Sequence, residues 1–192
     1  MKRRKPQLYR RKPQPMQPIR DADMLEQFKK VLESWSLRNW FLFFLGINSG
    51  LRISDLVPLR VSDLMGSHLV LREQKTQKAK RLKINAWVRE NFEYYVRSEN
   101  LSPNDYLFPS QKGGHISKDR AYRIMRIAAA ALDLDAIGTH TMRKTFGYQY
   151  YERTKDIATL QILFNHSSQR VTLRYIGKDQ DRLDEAMDSV RL

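Results

Sequence analysis

Five side chains of this sequence are candidates to bind an anion, exchange protons or act as a nucleophile. They are Arg52, His140, Arg143, His166 and Tyr175. A guanidinium grips a phosphate through paired N–H donors, an imidazole exchanges protons near neutral pH, and a phenol attacks an electrophile once it is deprotonated. Taken singly, each residue also has an ordinary structural interpretation, because arginines and histidines close helix ends and tyrosines pack in cores.

The order and spacing of these residues point to one shared site. They lie in four short segments, residues 50–56 (GLRISDL), 139–145 (THTMRKT), 165–168 (NHSS) and 172–175 (TLRY). In this order the segments resemble the conserved boxes of the tyrosine recombinase and phage integrase family. The resemblance covers about residues 38–178 and includes a His-x-x-Arg pair, a nine-residue step from the second histidine to the tyrosine, and a basic hairpin between the first two segments.

This resemblance implies that the chain cuts and rejoins DNA. Tyr175 would attack a backbone phosphate, displace the 5′ oxygen and leave a 3′-phosphotyrosyl link. Arg52 and Arg143 would stabilise the charge that builds on the phosphorane, while His140 takes the phenol proton and His166 donates a hydrogen bond to the phosphate. Because the link keeps the energy of the backbone bond, we expect rejoining without ATP, without a metal ion and without an organic cofactor.

The family takes the proton for the leaving 5′ oxygen from a lysine on a β-hairpin. Lys75, Lys78, Lys80 and Lys83 all compete for this role here. Lys75 begins the hairpin tip, nine residues before Ile84, and this register favours it, with Lys78 as the alternative. We predict that Lys78 and Lys80 contact DNA phosphates.

Three positions supply supporting or divergent chemistry. Asp55 lies three residues after Arg52, so it can share a helix face with that arginine and hold it in place. Lys144 stands where most members have a histidine, and Asn165 where they usually have a glycine; Lys144 can still donate to a phosphate. These departures keep a non-catalytic DNA-binding regulator of the same fold open as an alternative function. A type IB topoisomerase, which shares the chemistry, is the other alternative.

The composition excludes several classes of site. The 192-residue chain has no cysteine, which rules out disulfides, thiolate metal sites and cysteine nucleophiles and suits a reducing cytoplasm, where a DNA-bound protein would lie with the nucleoid. The longest apolar run, residues 40–47, is too short to span a membrane. The formal net charge of +14 favours a polyanionic partner, and the resemblance identifies that partner as double-stranded DNA.

Residues 1–20 are predicted to form a basic, proline-rich mobile arm. They contain four prolines, no acid and eight basic residues: Lys2, Arg3, Arg4, Lys5, Arg10, Arg11, Lys12 and Arg20. Such a segment buries too little apolar surface to offset the entropy of ordering. The first seven basic residues are candidate DNA contacts, and a terminus that only aids solubility is the alternative.

The spacing of apolar residues predicts the helices and strands that position these site residues. The chain is predicted to be mainly α-helical with one small antiparallel β-hairpin. The hairpin pairs Leu69 and Leu71 with Leu82 and Ile84 across a polar tip. Helices are predicted from residue 21 onward and at 38–49 (closed by Gly50), 52–64 (interrupted by a turn), 86–98, 118–132 (capped by Ser117), 139–152, 156–164, 168–176 and 179–190.

Three regions result from this division. They are the arm (1–20), a recombinase catalytic domain (21–178) and a C-terminal helix (179–192). Family members assemble on DNA as dimers or tetramers, and the C-terminal helix is predicted to dock on a neighbouring protomer, the alternative being packing on its own chain. Members usually carry a further core-binding domain, so we expect either a fragment or a short single-domain recombinase of the fimbrial-switch type. The target site, the type of event and any accessory DNA-bending proteins are left open.

Overall fold

A computed structural model describes residues 15–190, and within them it confirms the predicted fold class. Between residues 15 and 190, one antiparallel hairpin accompanies ten helices. In chain order the elements are α1 Ala22–Trp35, α2 Leu37–Ser49, α3 Ile53–Leu56, α4 Val61–Met65, β1 His68–Arg72, β2 Ala79–Lys83, α5 Ala86–Ser98, α6 Lys118–Ala130, α7 Thr139–Thr154, α8 Ile157–Phe164, α9 Gln169–Ile176 and α10 Lys178–Asp188. None of the helices in the described range has the length and apolar character needed to cross a bilayer.

Helix α2 is the centre of the main core. Its side chains from Trp40 to Leu45 are all buried, and it packs against α1, α5 and α7. As predicted, Gly50 closes the helix, in a left-handed conformation with φ of 62°. A Cβ at Gly50 would lie 2.5 Å from the Phe146 ring on α7, so glycine is required both for the backbone turn and for this close approach. The chain therefore leaves α2 directly beside α7.

The predicted hairpin is present with a six-residue connection, but its register pairs Leu71 with Lys80 rather than with Leu82 or Ile84. Leu69 pairs with Leu82, and buried Leu69 directs one face of the sheet into the core. In the connection the Glu73 N–H donates to the Lys78 carbonyl at 3.0 Å, and the Gln77 N–H donates back to the Glu73 carbonyl at 2.8 Å. These hydrogen bonds fix the connection as a tight turn.

A smaller apolar cluster lies beneath α7, α8 and α9. Its fully buried members are Leu160, Phe164 and Ile176, and the ring of Tyr175 packs against it. Gly147 on α7 allows the three helices to approach closely, because any side chain there would meet both Phe164 and Ile176. The position of α9 therefore depends on tight packing at a single glycine.

The last residues of the predicted arm contact the domain. The Gln17 N–H donates to the Ala136 carbonyl at 2.8 Å, and the N–H of buried Ile19 donates to Thr145 Oγ1 at 2.9 Å. The extent of the mobile arm stays a prediction. The seven basic residues predicted to bind DNA, all within residues 1–14, lie outside the described residues.

Helix α10 is held at its beginning and exposed beyond it. Asp181 accepts from Arg20 at 3.0 Å, and Lys178 Nζ lies 2.7 Å from a carboxylate oxygen of Glu152 on α7. By contrast, Leu183 and Met187 are 60% and 72% exposed. The alternative that this apolar face packs on its own chain is therefore not realised among the described residues. Docking on a neighbouring protomer stays a prediction.

Replacing Gly147 with alanine is expected to destabilise the protein by about 1–3 kcal/mol, because the new methyl group overpacks the small cluster. A Cβ there would lie 2.7 Å from both Ile176 Cγ2 and Phe164 Cε2. Gly66→Ala is the matched control, since the nearest atom to its Cβ would be 3.7 Å away. Urea unfolding compares the two variants, and equal stabilities would contradict the packing described for α7 and α9.

Candidate active site

Five of the six predicted catalytic side chains converge where the ends of several helices meet. Arg52 immediately precedes α3, His140 and Arg143 lie in the first turns of α7, His166 follows α8, and Tyr175 lies in the last turn of α9. The Tyr175 hydroxyl is 3.4 Å from Nδ1 of His140. The rings of Tyr175 and His166 meet edge to face, with centroids 5.1 Å apart. The four sequence segments therefore bring their polar side chains close together in the fold.

Arg143 is almost fully buried, with only 2% of its surface exposed. Its Nη1 donates to the Gly50 carbonyl at 2.6 Å and its Nη2 donates to the Phe164 carbonyl at 2.8 Å. The guanidinium also lies 4.1 Å from the centre of the Phe164 ring. Each carbonyl belongs to a helix end, where backbone acceptors lack helical partners. Arg143 therefore joins the ends of α2 and α8 to α7.

Arg52 is paired with Glu73, a residue that the sequence analysis did not select. Nη1 of Arg52 lies 2.9 Å from Oε1 of Glu73, and Oε2 of Glu73 accepts from the Thr76 hydroxyl at 2.7 Å. Burial alone would raise the pKa of Glu73, but the Thr76 hydrogen bond and the charges of Arg52 and Lys80 outweigh it and lower the pKa to about 2. Glu73 is thus a buried, ionised acid within a cluster of cations.

A signal for Glu73 was present in the period-two pattern of the hairpin. Leu69 and Leu71 face inward, and Glu73 is the next residue on that same face. Because Glu73 also begins the polar tip, its charge alone would predict an exposed side chain. An acid on the inward face of a strand must find a partner, and this one lies between two cations.

Asp55 does not hold Arg52, so this prediction needs correction. Among the described residues Asp55 forms no ion pair with that arginine; its buried Oδ1 accepts instead from the Gln74 N–H at 2.8 Å. One turn of helix separates the two residues, but the extended backbone at Arg52 sends its side chain towards the hairpin. Asp55 therefore fixes the hairpin tip, and Glu73 holds the arginine.

The four hairpin lysines differ in burial and contacts, and Lys83 is exposed at the end of β2. Lys75 is exposed in the turn, and its charge is among the causes that lower the pKa of His140, after burial and the charges of Lys144 and Arg143. Lys78 is also exposed, and its Nζ donates to the Asn165 side chain at 2.8 Å.

Lys80 is mostly buried, with its side chain 11% exposed, and its Nζ donates to the Leu163 carbonyl at 2.8 Å. Burial and the charge of Arg143 lower its pKa to about 8, against the opposing effect of Glu73. This interior position counts against the predicted phosphate contact of Lys80, whereas Lys78 keeps an accessible side chain.

His166 is held by Thr172 and surrounded by cations. Its Nδ1 lies 3.1 Å from the Thr172 hydroxyl oxygen, and that hydroxyl also donates to the Ser168 carbonyl at 3.1 Å. Burial, followed by the charges of Arg143 and Arg52, lowers the pKa of His166 to about 4. The imidazole is therefore neutral at pH 7 in the free protein.

Tyr175 is a largely buried phenol in a positive field. Burial raises its pKa, and the charges of Arg143 and Arg52 act in the opposite direction. Such a pocket, with a phenol beside several cationic donors, suits a phosphodiester. Within residues 15–190, no group of His, Asp and Glu side chains has an arrangement that could hold a metal ion.

Comparison with known proteins identifies the family of this site. Residues 20–182 match the sequence profile of the phage integrase family. The chain belongs to this family. It is 48% identical over 168 residues to the "Probable integrase/recombinase YoeC" of Bacillus subtilis, covering 86% of this chain and 92% of that protein. It is also 27% identical over 156 residues to the type 1 fimbriae regulatory protein FimE of Escherichia coli K12, covering 76% and 77% of the two chains.

Solved structures of other recombinases share the fold of this integrase-family chain. A post-cleavage complex of the XerH site-specific recombinase with its palindromic difH substrate matches with a TM-score of 0.70 and 22% identity, over 88% of this chain and 51% of XerH. The XerA recombinase matches with a TM-score of 0.70 and 19% identity, over 95% and 67% of the two chains. The chain thus spans about half to two thirds of the length of these structural neighbours.

The geometry explains one departure from the usual pattern of phage integrases. Asn165 closes α8 in a left-handed conformation with φ of 54°, a backbone state that glycine adopts freely and asparagine tolerates better than most residues. The position that is usually glycine therefore keeps its conformation. The asparagine adds a side-chain acceptor that Lys78 uses.

The second departure places a cation over the tyrosine. Nζ of Lys144 lies 5.2 Å from the centre of the Tyr175 ring. Burial, followed by the charge of Arg20, lowers the pKa of Lys144. A lysine in place of the usual histidine therefore still brings a hydrogen-bond donor to the face of the nucleophile.

As the pH is lowered from about 6.5 to about 4, the free energy of unfolding should decrease, and His166 should contribute to this decrease. Its pKa is lower in the folded state than its ordinary 6.5, so the unfolded chain binds a proton in this window and the folded chain does not. His166→Gln should reduce this loss of stability. Urea unfolding at pH 7 and pH 5 measures it, and an NMR titration of His166 gives the pKa directly; a His166 that titrates near 6.5 would contradict the described environment.

Proposed function

We propose that this chain is a site-specific recombinase that cleaves and rejoins double-stranded DNA with Tyr175 as nucleophile. The convergence of the Tyr175 hydroxyl with His140, His166 and two arginines at one pocket carries this proposal. The family membership and the DNA complexes of structural neighbours such as XerH support it.

The two arginines would bind the non-bridging oxygens of the scissile phosphate. Arg143 donates one N–H to each of two backbone carbonyls. A guanidinium has five N–H donors, so three remain for a phosphate. Its fixed position requires no reorganisation when charge builds on the phosphorane. Arg52 approaches the same pocket from α3 and would complete the pair.

In the cleavage step a bond forms between the Tyr175 oxygen and phosphorus while the bond from phosphorus to the 5′ oxygen breaks. His140, 3.4 Å from the hydroxyl, would accept the phenol proton. Burial and the nearby cations lower the pKa of His140, which favours the neutral imidazole that a base requires. Lys75 would give a proton to the 5′ oxygen, with Lys78 as the alternative because it also borders the site.

His166 would donate to the phosphate through Nε2. The Thr172 hydroxyl has one hydrogen, which serves either Ser168 or His166 but not both. If the hydroxyl donates to Nδ1, a neutral His166 carries its proton on Nε2. A phosphate acceptor at Nε2 would favour this arrangement, so DNA binding and the Thr172 hydrogen bond are coupled.

The proposed partners are DNA and further copies of the chain. Among the structural neighbours is a λ integrase dimer bound to a core site. The exposed apolar face of α10 is the proposed contact between protomers, and the seven basic residues within 1–14 are proposed to hold DNA phosphates through a salt-dependent interaction. Tetramers and accessory DNA-bending proteins would extend this assembly.

Tyr175→Phe should abolish covalent attachment to DNA, since the phenylalanine lacks the oxygen that would attack phosphorus. The wild-type protein, incubated with nicked suicide substrates that tile the DNA around its gene, should form an adduct that survives denaturation. Tyr94→Phe, which removes an exposed hydroxyl from α5, is the matched control and should leave the adduct intact.

Three other outcomes would contradict parts of this proposal. An adduct that persists in Tyr175→Phe would exclude Tyr175 as nucleophile. DNA binding without any adduct on every substrate would favour the non-catalytic regulator. Relaxation of supercoiled DNA without exchange between paired sites would favour topoisomerase action.

Replacing Leu183 and Met187 together with serine should weaken assembly of two protomers on one DNA by roughly tenfold, because both side chains are exposed apolar contacts in the free chain. Thermal stability should not change. Cooperative DNA binding in a gel-shift titration measures the effect. Glu185→Ser is the control, since Glu185 is exposed and lies two residues from both Leu183 and Met187, on the opposite side of α10. Unaltered cooperativity in the double variant would rule out the docking role of α10.

A further inference from the structure

Glu73 connects the arginine and the hairpin of the proposed recombinase site. We infer that Glu73 is a positioning residue for DNA cleavage, holding the Arg52 guanidinium at the scissile phosphate without contacting the DNA itself. The inference rests on the function proposed above. It adds to the reaction an acid that lies outside the set of residues selected by the sequence segments.

The carboxylate is buried and its contacts are divided between its two oxygens. Glu73 is 2% exposed. Oε1 lies 2.9 Å from Nη1 of Arg52 and 3.5 Å from Nζ of Lys80, while Oε2 accepts from the Thr76 hydroxyl. One oxygen therefore faces the cations and the other faces the hairpin turn, so the acid bridges two parts of the site.

Electrostatics makes this bridge necessary for the position of Arg52. Lys80 and Arg143 are both close enough for their positive charges to lower the pKa of neighbouring groups, and each repels Arg52. In a partly buried pocket such repulsion is weakly screened. The negative charge of Glu73 offsets it and gives the guanidinium a fixed partner before any phosphate arrives.

The pairing leaves Arg52 available for a second anion. Its Nη1 is buried and lies 2.9 Å from Glu73, while the side chain as a whole is 16% exposed. A guanidinium has five N–H donors, and the carboxylate faces only Nη1. A phosphate can take donors on the other nitrogens without first displacing the carboxylate.

The same acid also sets the position of the hairpin relative to α8. Thr76 lies in the turn that carries Lys75, and Lys80 reaches from β2 to the Leu163 carbonyl near the end of α8. Neutralising Glu73 with glutamine would keep an acceptor for Thr76 but remove the charge that faces Arg52. The substitution therefore acts chiefly on the arginine.

The test compares cleavage by Glu73→Gln on two forms of a suicide substrate that the wild-type protein cleaves. One form is normal DNA, and in the other a bridging sulfur replaces the scissile 5′ oxygen. A thiolate leaves without a proton, so the second form needs no general acid. Glu73→Gln should cleave both forms roughly tenfold to a hundredfold more slowly than wild type, because a misplaced Arg52 stabilises the phosphorane poorly whatever leaves.

Binding and charge controls separate positioning from affinity. The affinity of Glu73→Gln for DNA should be unchanged or higher, since the variant loses a negative charge. Glu90→Gln makes the same change of charge at an exposed position on α5 and should cleave at the wild-type rate. Lys75→Ala should be slow on normal DNA and recover on the sulfur-containing form.

A double-mutant comparison shows whether Glu73 acts through Arg52. Combining Glu73→Gln with Arg52→Ala should slow cleavage no further than Arg52→Ala alone. Glu73→Asp keeps the charge but moves it back by one methylene, so its cleavage rate should lie between those of wild type and Glu73→Gln. If a thermal unfolding assay shows that Glu73→Gln does not fold, Glu73→Asp takes its place in the test.

Distinct results would overturn the inference and the function on which it rests. A wild-type protein that forms no adduct on any substrate overturns the proposed function. If wild type cleaves, then a wild-type rate in Glu73→Gln, recovery of that variant on the sulfur-containing form, or a loss of DNA affinity equal to its loss of rate overturns the role of Glu73 alone.

Discussion

The buried guanidinium of Arg143 is the interaction on which the rest of the site depends. Its two hydrogen bonds satisfy backbone carbonyls at Gly50 and Phe164, which belong to the ends of two different helices. Removing such a group would leave two buried acceptors unpaired, at a cost of about 1–3 kcal/mol each. The residue proposed to stabilise the reacting phosphate is therefore also a structural connection, and its catalytic position follows from its role in the fold.

A site that collects cations must remain stable before its anionic partner binds. Two responses are visible in this protein. The histidine beside the arginines, His166, stays neutral, with its pKa lowered to about 4, and one buried carboxylate, Glu73, stays ionised, with its pKa lowered to about 2. The field around Tyr175 is thus positive but compensated. Such an arrangement can receive a phosphate without collapsing through repulsion in its absence.

Local signals in the sequence were sufficient for most of the fold. Residues 86–98 were predicted as a helix and are α5, and Ser117 was predicted to cap a helix and accepts from the Arg120 N–H at 3.1 Å. Gly50 closes α2 as expected. Caps, periodicity and glycine turns are properties of short segments, so they can be read without tertiary information.

The contacts between the site residues could not be predicted from short segments in the same way. The family segments indicated which residues would meet, but not that Glu73 rather than Asp55 would hold Arg52, because this depends on where the hairpin lies against α3. The inward position of Lys80 and the contact of residues 17–20 with the domain involve distant parts of the chain as well. These three contacts depend on long-range packing, which cannot be inferred from the spacing of residues along the sequence.

The pairing of Arg20 with Asp181 has a structural consequence. It joins the segment that enters the domain to the helix that leaves it, and Arg20 lies against Gly177, two residues beyond the tyrosine. The position of the segment before α1 is therefore linked to the start of α10, which directly follows the helix of the nucleophile.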